Sequence, residues 1–268
     1  SFRIHLPFYR PNQSNYLVIQ YADDTIILLP ACPGQATLVK NILTDYATSI
    51  GLKINFHKST LVPMNCDVAT AQHIAQIFGC VMGKLPFTYL GLPMGTTKPS
   101  MQDLMPLVCG VQRILSSTLS VTSYGGKLSL LNSVITSLII FALYALKLRQ
   151  KIIDLLDKIR RQCLWTKKTD DGDKCNSLAS WQLVCRPKEC GGLGVLDLQT
   201  QSDALLMKYL HKFYNHWDLP WVDLIWSTYY TQKIPHATDP CGLFLWKDVP
   251  KLTPIYRSIS HVIARRGD

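Results

Sequence analysis

Two adjacent carboxylates, Asp23 and Asp24, stand between two short β-branched runs in Tyr16-Leu-Val-Ile-Gln-Tyr-Ala-Asp-Asp-Thr-Ile-Ile-Leu-Leu29. Hard carboxylate oxygens are what magnesium selects, and that ion is usually held by one or two carboxylates together with substrate phosphates. Two such ions about 3.5–4 Å apart stabilise the attacking and leaving oxygens of phosphoryl transfer. The plainer alternative is a solvated acidic turn, for which Asp is a common choice.

The element that must position these groups is a tight β-hairpin with an acidic turn, because β-branched runs flank the pair on both sides. Successive strand residues point to opposite faces, so Asp23 and Asp24 are equivalent ligands only if the backbone bends sharply between them. One of them leads.

The bulk properties agree with a folded protein that meets a polyanion. The chain has 268 residues, is 47% hydrophobic and carries a net charge of +10; its isoelectric point is near 9.2. That length and apolar content bury a sizeable core. The positive balance favours nucleic acid over a membrane surface, through neutralised phosphates and released counterions. Nine cysteines, an odd number without regular spacing, and a charged start with Arg3, His5 and Arg10 indicate free thiols in a reducing compartment, nuclear or cytoplasmic, and not secretion.

Along the chain, residues 1–15 read as an irregular lead-in. Leu38, Val39, Ile42, Leu43, Tyr46 and Ile50 recur at helical spacing up to Gly51, which predicts an amphipathic helix with a glycine cap. Gly51-Leu-Lys-Ile-Asn-Phe-His-Lys-Ser-Thr-Leu-Val62 alternates as a strand does. Asp67 begins a second helix that Gly79 ends. Phe87-Thr-Tyr-Leu-Gly-Leu-Pro-Met94 reads as a further hairpin, with Gly91 allowing close backbone approach.

Beyond Gln102 the pattern is helical. Leu104, Leu107, Val108, Val111 and Leu115 mark one helix, and Gly125-Gly126 precedes a longer one whose residues 128–146 are uncharged. That stretch is long enough to raise the question of a membrane. Ser129, Asn132, Ser133, Thr136 and Ser137 make it a poor span and a better core helix. Lys147 to Lys168 is basic, with Leu155, Leu156, Ile159 and Trp165 as an apolar stripe. Asp170 to Asp173 lacks the later ligands of a calcium loop, and Cys175, Cys185 and Cys190 lack paired zinc spacing. Leu205 to Trp217 forms another amphipathic helix, and the tail forms short ones.

These strings, in this order and distance, resemble the reverse transcriptase of a LINE-type (non-LTR) retrotransposon, particularly the plant kind, over nearly the whole chain. The matches are Tyr21-Ala-Asp-Asp24, Gly51-Leu-Lys-Ile-Asn-Phe-His-Lys-Ser59, the Tyr89-Leu-Gly91 hairpin, Gly125-Gly-Lys-Leu-Ser-Leu-Leu-Asn-Ser-Val134 and Trp181 to Val195. The tryptophan usual before the Gly125 segment is absent.

The resemblance implies an α+β fold: a partial palm with primer grip over residues 1–98, a helical thumb-like region over 99–169 and a helical extension over 170–268. It implies two magnesium ions at Asp23 and Asp24, with Asp23 the main ligand, and a Lys58 that assists the pyrophosphate leaving group, with Asn55 as its structural partner. Tyr89, Leu90 and Gly91 would grip the primer; Tyr21, Lys158, Arg160 and Arg161 would contact nucleic acid. The implied reaction is RNA-directed DNA synthesis on an RNA template and DNA primer, from deoxynucleoside triphosphates, without a membrane. No acidic residue precedes Asp23. A further palm aspartate and the fingers would therefore lie upstream, and the expectation for this chain alone is no polymerase activity. The alternative is a non-catalytic module that binds nucleic acid through basic helices.

Overall fold

The computed structural model describes residues 18–118, 123–169, 172–230 and 244–261. It is an α+β protein that divides between Phe87 and Thr88 into two compact units.

In the first unit, β1 (Val18–Tyr21) and β2 (Asp24–Ile27) form an antiparallel hairpin. Helix α1 (Pro33–Ser49) begins with a proline, whose missing N–H costs nothing in a first turn. Helix α2 (Val68–Phe78) is capped by the Asp67 carboxylate, which accepts from Thr70 N at 2.8 Å, and ended by Gly79 at φ 73°. That bond holds the Asp67 carboxyl below its ordinary range. The small residues Ala36, Ala47, Ala71 and Ala75 are buried with Val39 and Ile74, and α1 packs against α2. Lys40 Nζ donates to the Ile77 carbonyl at 2.6 Å and lies 5.7 Å from the Phe56 ring centroid. Strands β3 (Thr60–Leu61) and β4 (Val81–Met82) flank α2 and pair in parallel.

The strand expected from Gly51 to Val62 is only the two residues of β3. Before it, Phe56–Lys58 forms a 3₁₀ turn because the Asn55 side chain accepts from Lys58 N at 3.2 Å. An Asn side chain that bonds nearby backbone offers the chain an alternative to a ladder.

From Thr88 onward the second unit holds the rest of the hairpin of β5 (Phe87–Tyr89) and β6 (Leu92–Met94), followed by α3 (Met101–Thr118). Ser123 caps α4 (Tyr124–Leu130), so Gly125 and Gly126 lie within the first turn of that helix and do not precede it. Leu131–Ile135 makes a π turn and α5 (Thr136–Ala145) continues. The signature of the π turn is the Thr136 backbone N–H, which donates to the Leu131 carbonyl five residues back; the Thr136 hydroxyl donates to the same carbonyl at 2.7 Å.

Residues 124–145 are long and apolar enough to cross a membrane by length and composition. Here Leu131, Ile135, Ile139 and Leu143 are wholly buried in the unit's core, alongside Val108 and Val111 of α3 and Ile152 and Leu156 of α6 (Gln150–Trp165). Burial is confined to one face: Val134, Leu138 and Phe141 are exposed.

β7 (Thr166–Thr169) and β8 (Gly172–Cys175) form an antiparallel hairpin. Residues 170 and 171 lie outside the described residues. Short α7 (Trp181–Val184) and a 3₁₀ turn at Lys188–Cys190 lead to α8 (Leu198–Tyr214). The end of α8, with α9 (Pro220–Tyr229), α10 (Phe244–Asp248) and α11 (Thr253–Ile259), surrounds an aromatic cluster of Phe213, Trp226, Tyr230 and Trp246. Phe213 stacks on Trp226 with ring centroids 4.6 Å apart. Asp248 joins this cluster to the start of the unit by ion pairs with Lys98 and Lys251. Burial works against its charge but is outweighed by those two partners, so its carboxyl lies below the ordinary range.

Candidate functional site

The acidic hairpin has a two-residue loop. Tyr21 pairs with Asp24 across the ladder, which leaves Ala22 and Asp23 at the apex. Asp23 is therefore a loop residue and Asp24 a strand residue. Ala22 adopts φ 52°, a left-handed conformation that costs an L-residue about 1–2 kcal/mol. The Gln20 amide donates to the Ala22 carbonyl at 3.1 Å and spans this turn. Both carboxylates are exposed, and Tyr21 keeps 64% of its surface. Among the described residues no group of three His, Cys, Asp or Glu side chains could hold a metal ion. The oxygen donors of Asp23 and Asp24 suit magnesium, as a pair that substrate phosphates and waters would complete.

Lys58 closes the 3₁₀ turn and is exposed, with its backbone fixed by Asn55. Asn55 is thus its structural partner, as expected.

In the Tyr-Leu-Gly hairpin, Leu90 at φ 50° and Gly91 at φ 78° are both left-handed, the combination of a two-residue type I′ loop. A Cβ on Gly91 would meet nothing within 4 Å. Glycine is required there by conformation and not by space. Leu92 is buried against Leu104 in the core and anchors the hairpin. Tyr89 is half-buried, and its hydroxyl is enclosed without a hydrogen-bond partner among the described residues.

On α6 the basic residues separate. Lys151, Lys158 and Arg161 are exposed at helical spacing, with Asp154 among them. Arg160 is 0% exposed, which corrects its expected role as a phosphate contact. Its guanidinium donates to Asp157 Oδ1 and to the Leu196 carbonyl, each at 2.7 Å, and lies 5.4 Å from the Trp181 ring centroid. Burial raises the Asp157 pKa, and Arg160 pulls against that rise. Arg160 thus clamps α6 to the segment between Trp181 and Leu196. The signal was present in the sequence: four residues after Leu156 and three before Cys163, Arg160 falls on the apolar face of α6. Arg161, one position on, is exposed and lies 5.9 Å from the same Trp181 ring.

Cys163 and Cys185 lie near this clamp, and burial pushes each thiol up to about 11. They are unsuited to nucleophilic chemistry at neutral pH.

No family model matches the chain. It is 29% identical over 112 residues to a "putative ribonuclease H protein" of Arabidopsis thaliana, a match that covers 42% of this chain and 18% of that protein. The chain thus spans under a fifth of the relative's length. The likeness is compatible with a plant retrotransposon-type polyprotein concerned with nucleic acid.

Proposed function

We propose that this chain is the rear of a reverse transcriptase palm, with its thumb and helical extension, from a LINE-type retrotransposon, and that alone it binds nucleic acid without extending a primer. The observation that carries this reading is the acidic hairpin, a strained two-residue loop that presents Asp23 and Asp24 side by side in solvent. Magnesium held there would neutralise phosphate charge and align the reacting oxygens. Asp23, at the apex, is the main ligand and Asp24 its neighbour. Lys58 is the candidate acid for the leaving group, while Tyr89, Leu90 and Gly91 position a primer end through a backbone fixed by the type I′ loop.

The non-catalytic reading has its own support in the exposed Lys151, Lys158 and Arg161 of α6. Such a surface follows the phosphates of a template–primer duplex without reading its bases. The test is fluorescence anisotropy on an RNA–DNA primer–template, with primer extension run alongside. Binding should weaken steeply with salt, lose roughly 3- to 10-fold in affinity and a shallower salt slope in Lys158→Ala/Arg161→Ala, and survive Asp23→Ala. Extension by the wild-type chain that Asp23→Ala abolishes would overturn the claim of inactivity. A chain that binds no nucleic acid would overturn both readings.

A further inference from the structure

The second unit holds a cleft of about 420 Å³ bounded by the first turn of α4, the end of α6 and the Gly191–Leu193 loop. That volume is within the range of small-ligand sites. Its walls include Tyr124, Trp165, Leu183, Val184 and Gly192, with Leu178 at the rim. The rings of Tyr124 and Trp165 are tilted by 55° with centroids 5.6 Å apart. Trp165 is buried and its indole N–H has no hydrogen-bond partner among the described residues, whereas Tyr124 is 41% exposed and Leu178 69% exposed. The far wall is fixed, because a Cβ on Gly192 would meet the Arg186 carbonyl at 2.0 Å.

Cationic residues come from both sides of this cleft. Arg161 is exposed near the end of α6, one turn before Trp165. The segment that turns into the far wall carries the exposed Arg186 and Lys188, with Glu189 beside them.

Building on the nucleic-acid reading above, we infer that this cleft takes one unpaired base of a single-stranded nucleic acid, with the flanking phosphates on the cations of the two sides. Aromatic and aliphatic walls bind the face of a base, with little sequence preference. A strand with one charge per nucleotide matches cations on both sides better than an apolar side chain from an acidic peptide does. The site therefore prefers single strand to blunt duplex and tolerates any base.

The experiment compares the whole chain with Tyr124→Ser/Leu178→Ser, two exposed positions whose change spares the core, and with Ala179→Trp, which fills the cleft. Anisotropy is read with a labelled single-stranded oligonucleotide, a blunt duplex and an acidic leucine-containing peptide; thermal melting checks the fold. Both variants should lose about 10-fold in single-strand affinity or more, and keep both their salt slope and their duplex affinity. A 2-aminopurine in the strand should be quenched by the wild-type chain and not by either variant.

Unchanged single-strand affinity with intact duplex binding would overturn the cleft while leaving the nucleic-acid reading standing. Equal losses on strand and duplex would overturn it too, as would peptide bound in place of the strand. If no nucleic acid binds at all, both readings fall together.

Discussion

Two hairpins in this chain share a design and differ in their foundations. Each has a tyrosine before a two-residue loop, and each places a non-glycine residue, Ala22 or Leu90, at φ near 50° in the first loop position. The second is rooted by Leu92, which is buried with Leu104 in a core shared by α3, α5 and α6. The first has no such root among the described residues, since every residue of β1 is exposed. Strained backbone persists where its surroundings over-determine it, and it clusters at binding and catalytic sites. The Tyr-Leu-Gly loop is preset by its own unit. The acidic loop relies on its own ladder and on the Gln20 amide.

The comparison breaks most clearly in the core beneath the second hairpin. Arg160→Ala leaves Asp157 buried without its cation and should cost about 3–5 kcal/mol, while Arg160→Met should cost less, as urea denaturation would report. The same site predicts a pH dependence. Burial sets the folded pKa of Asp157 above its unfolded value, so its contribution is present in full below the ordinary carboxylate range and lost as pH rises through the folded value. Asp157→Asn should flatten that slope.

Next in size is the root itself. Leu92→Ala should destabilise by about 2–4 kcal/mol, whereas Ile19→Ala on the exposed strand β1 should change stability by less than about 0.5 kcal/mol. Equal effects would show that the acidic hairpin is rooted after all. Smaller again, Leu90→Gly and Ala22→Gly should each stabilise by about 1 kcal/mol through relief of the left-handed strain; loss of stability at either position would remove the claim of strain there.

The last effect is kinetic. Cys32, Cys109 and Cys190 are exposed and should alkylate readily at neutral pH. Cys163 and Cys185, raised to about 11 by burial, should react only on unfolding. Mass spectrometry of the labelled peptides distinguishes the two classes.

Much of this was legible in the sequence where local chemistry decides the outcome. The Asp67 cap and Gly79 stop bound α2 as read, the Leu-Gly pair marks the second hairpin loop, and the acidic pair marks the first, whose loop is Ala22-Asp23 with Asp24 already in the strand. What escaped depends on partners distant in sequence. Arg160 looked like one more member of a basic run, because the indole and the carbonyl that join Asp157 in holding it are known only once α6 meets the Trp181–Leu196 segment. The 3₁₀ turn at Phe56–Lys58 was hidden by alternating apolar residues, although Asn55 carried the competing signal. In the apolar segment 128–146, Ser129, Asn132, Ser133 and Ser137 marked the exposed face, while the exposure of Leu138 and Phe141 had no such sign.

The π turn at Leu131–Ile135 has a consequence for the history of the helix that contains it. A π turn is a helix with one residue more than its α-helical neighbours require. Leu131 and Ile135 at its ends and Ile139 and Leu143 beyond it stay in the core, so the extra residue is accommodated without turning this face of the helix away from its packing partners. Deletion of Ser133, which is exposed, should restore a regular helix with the same buried face. Thr136, whose hydroxyl now reaches the Leu131 carbonyl, would then find that carbonyl one position nearer, at the distance an ordinary helix provides.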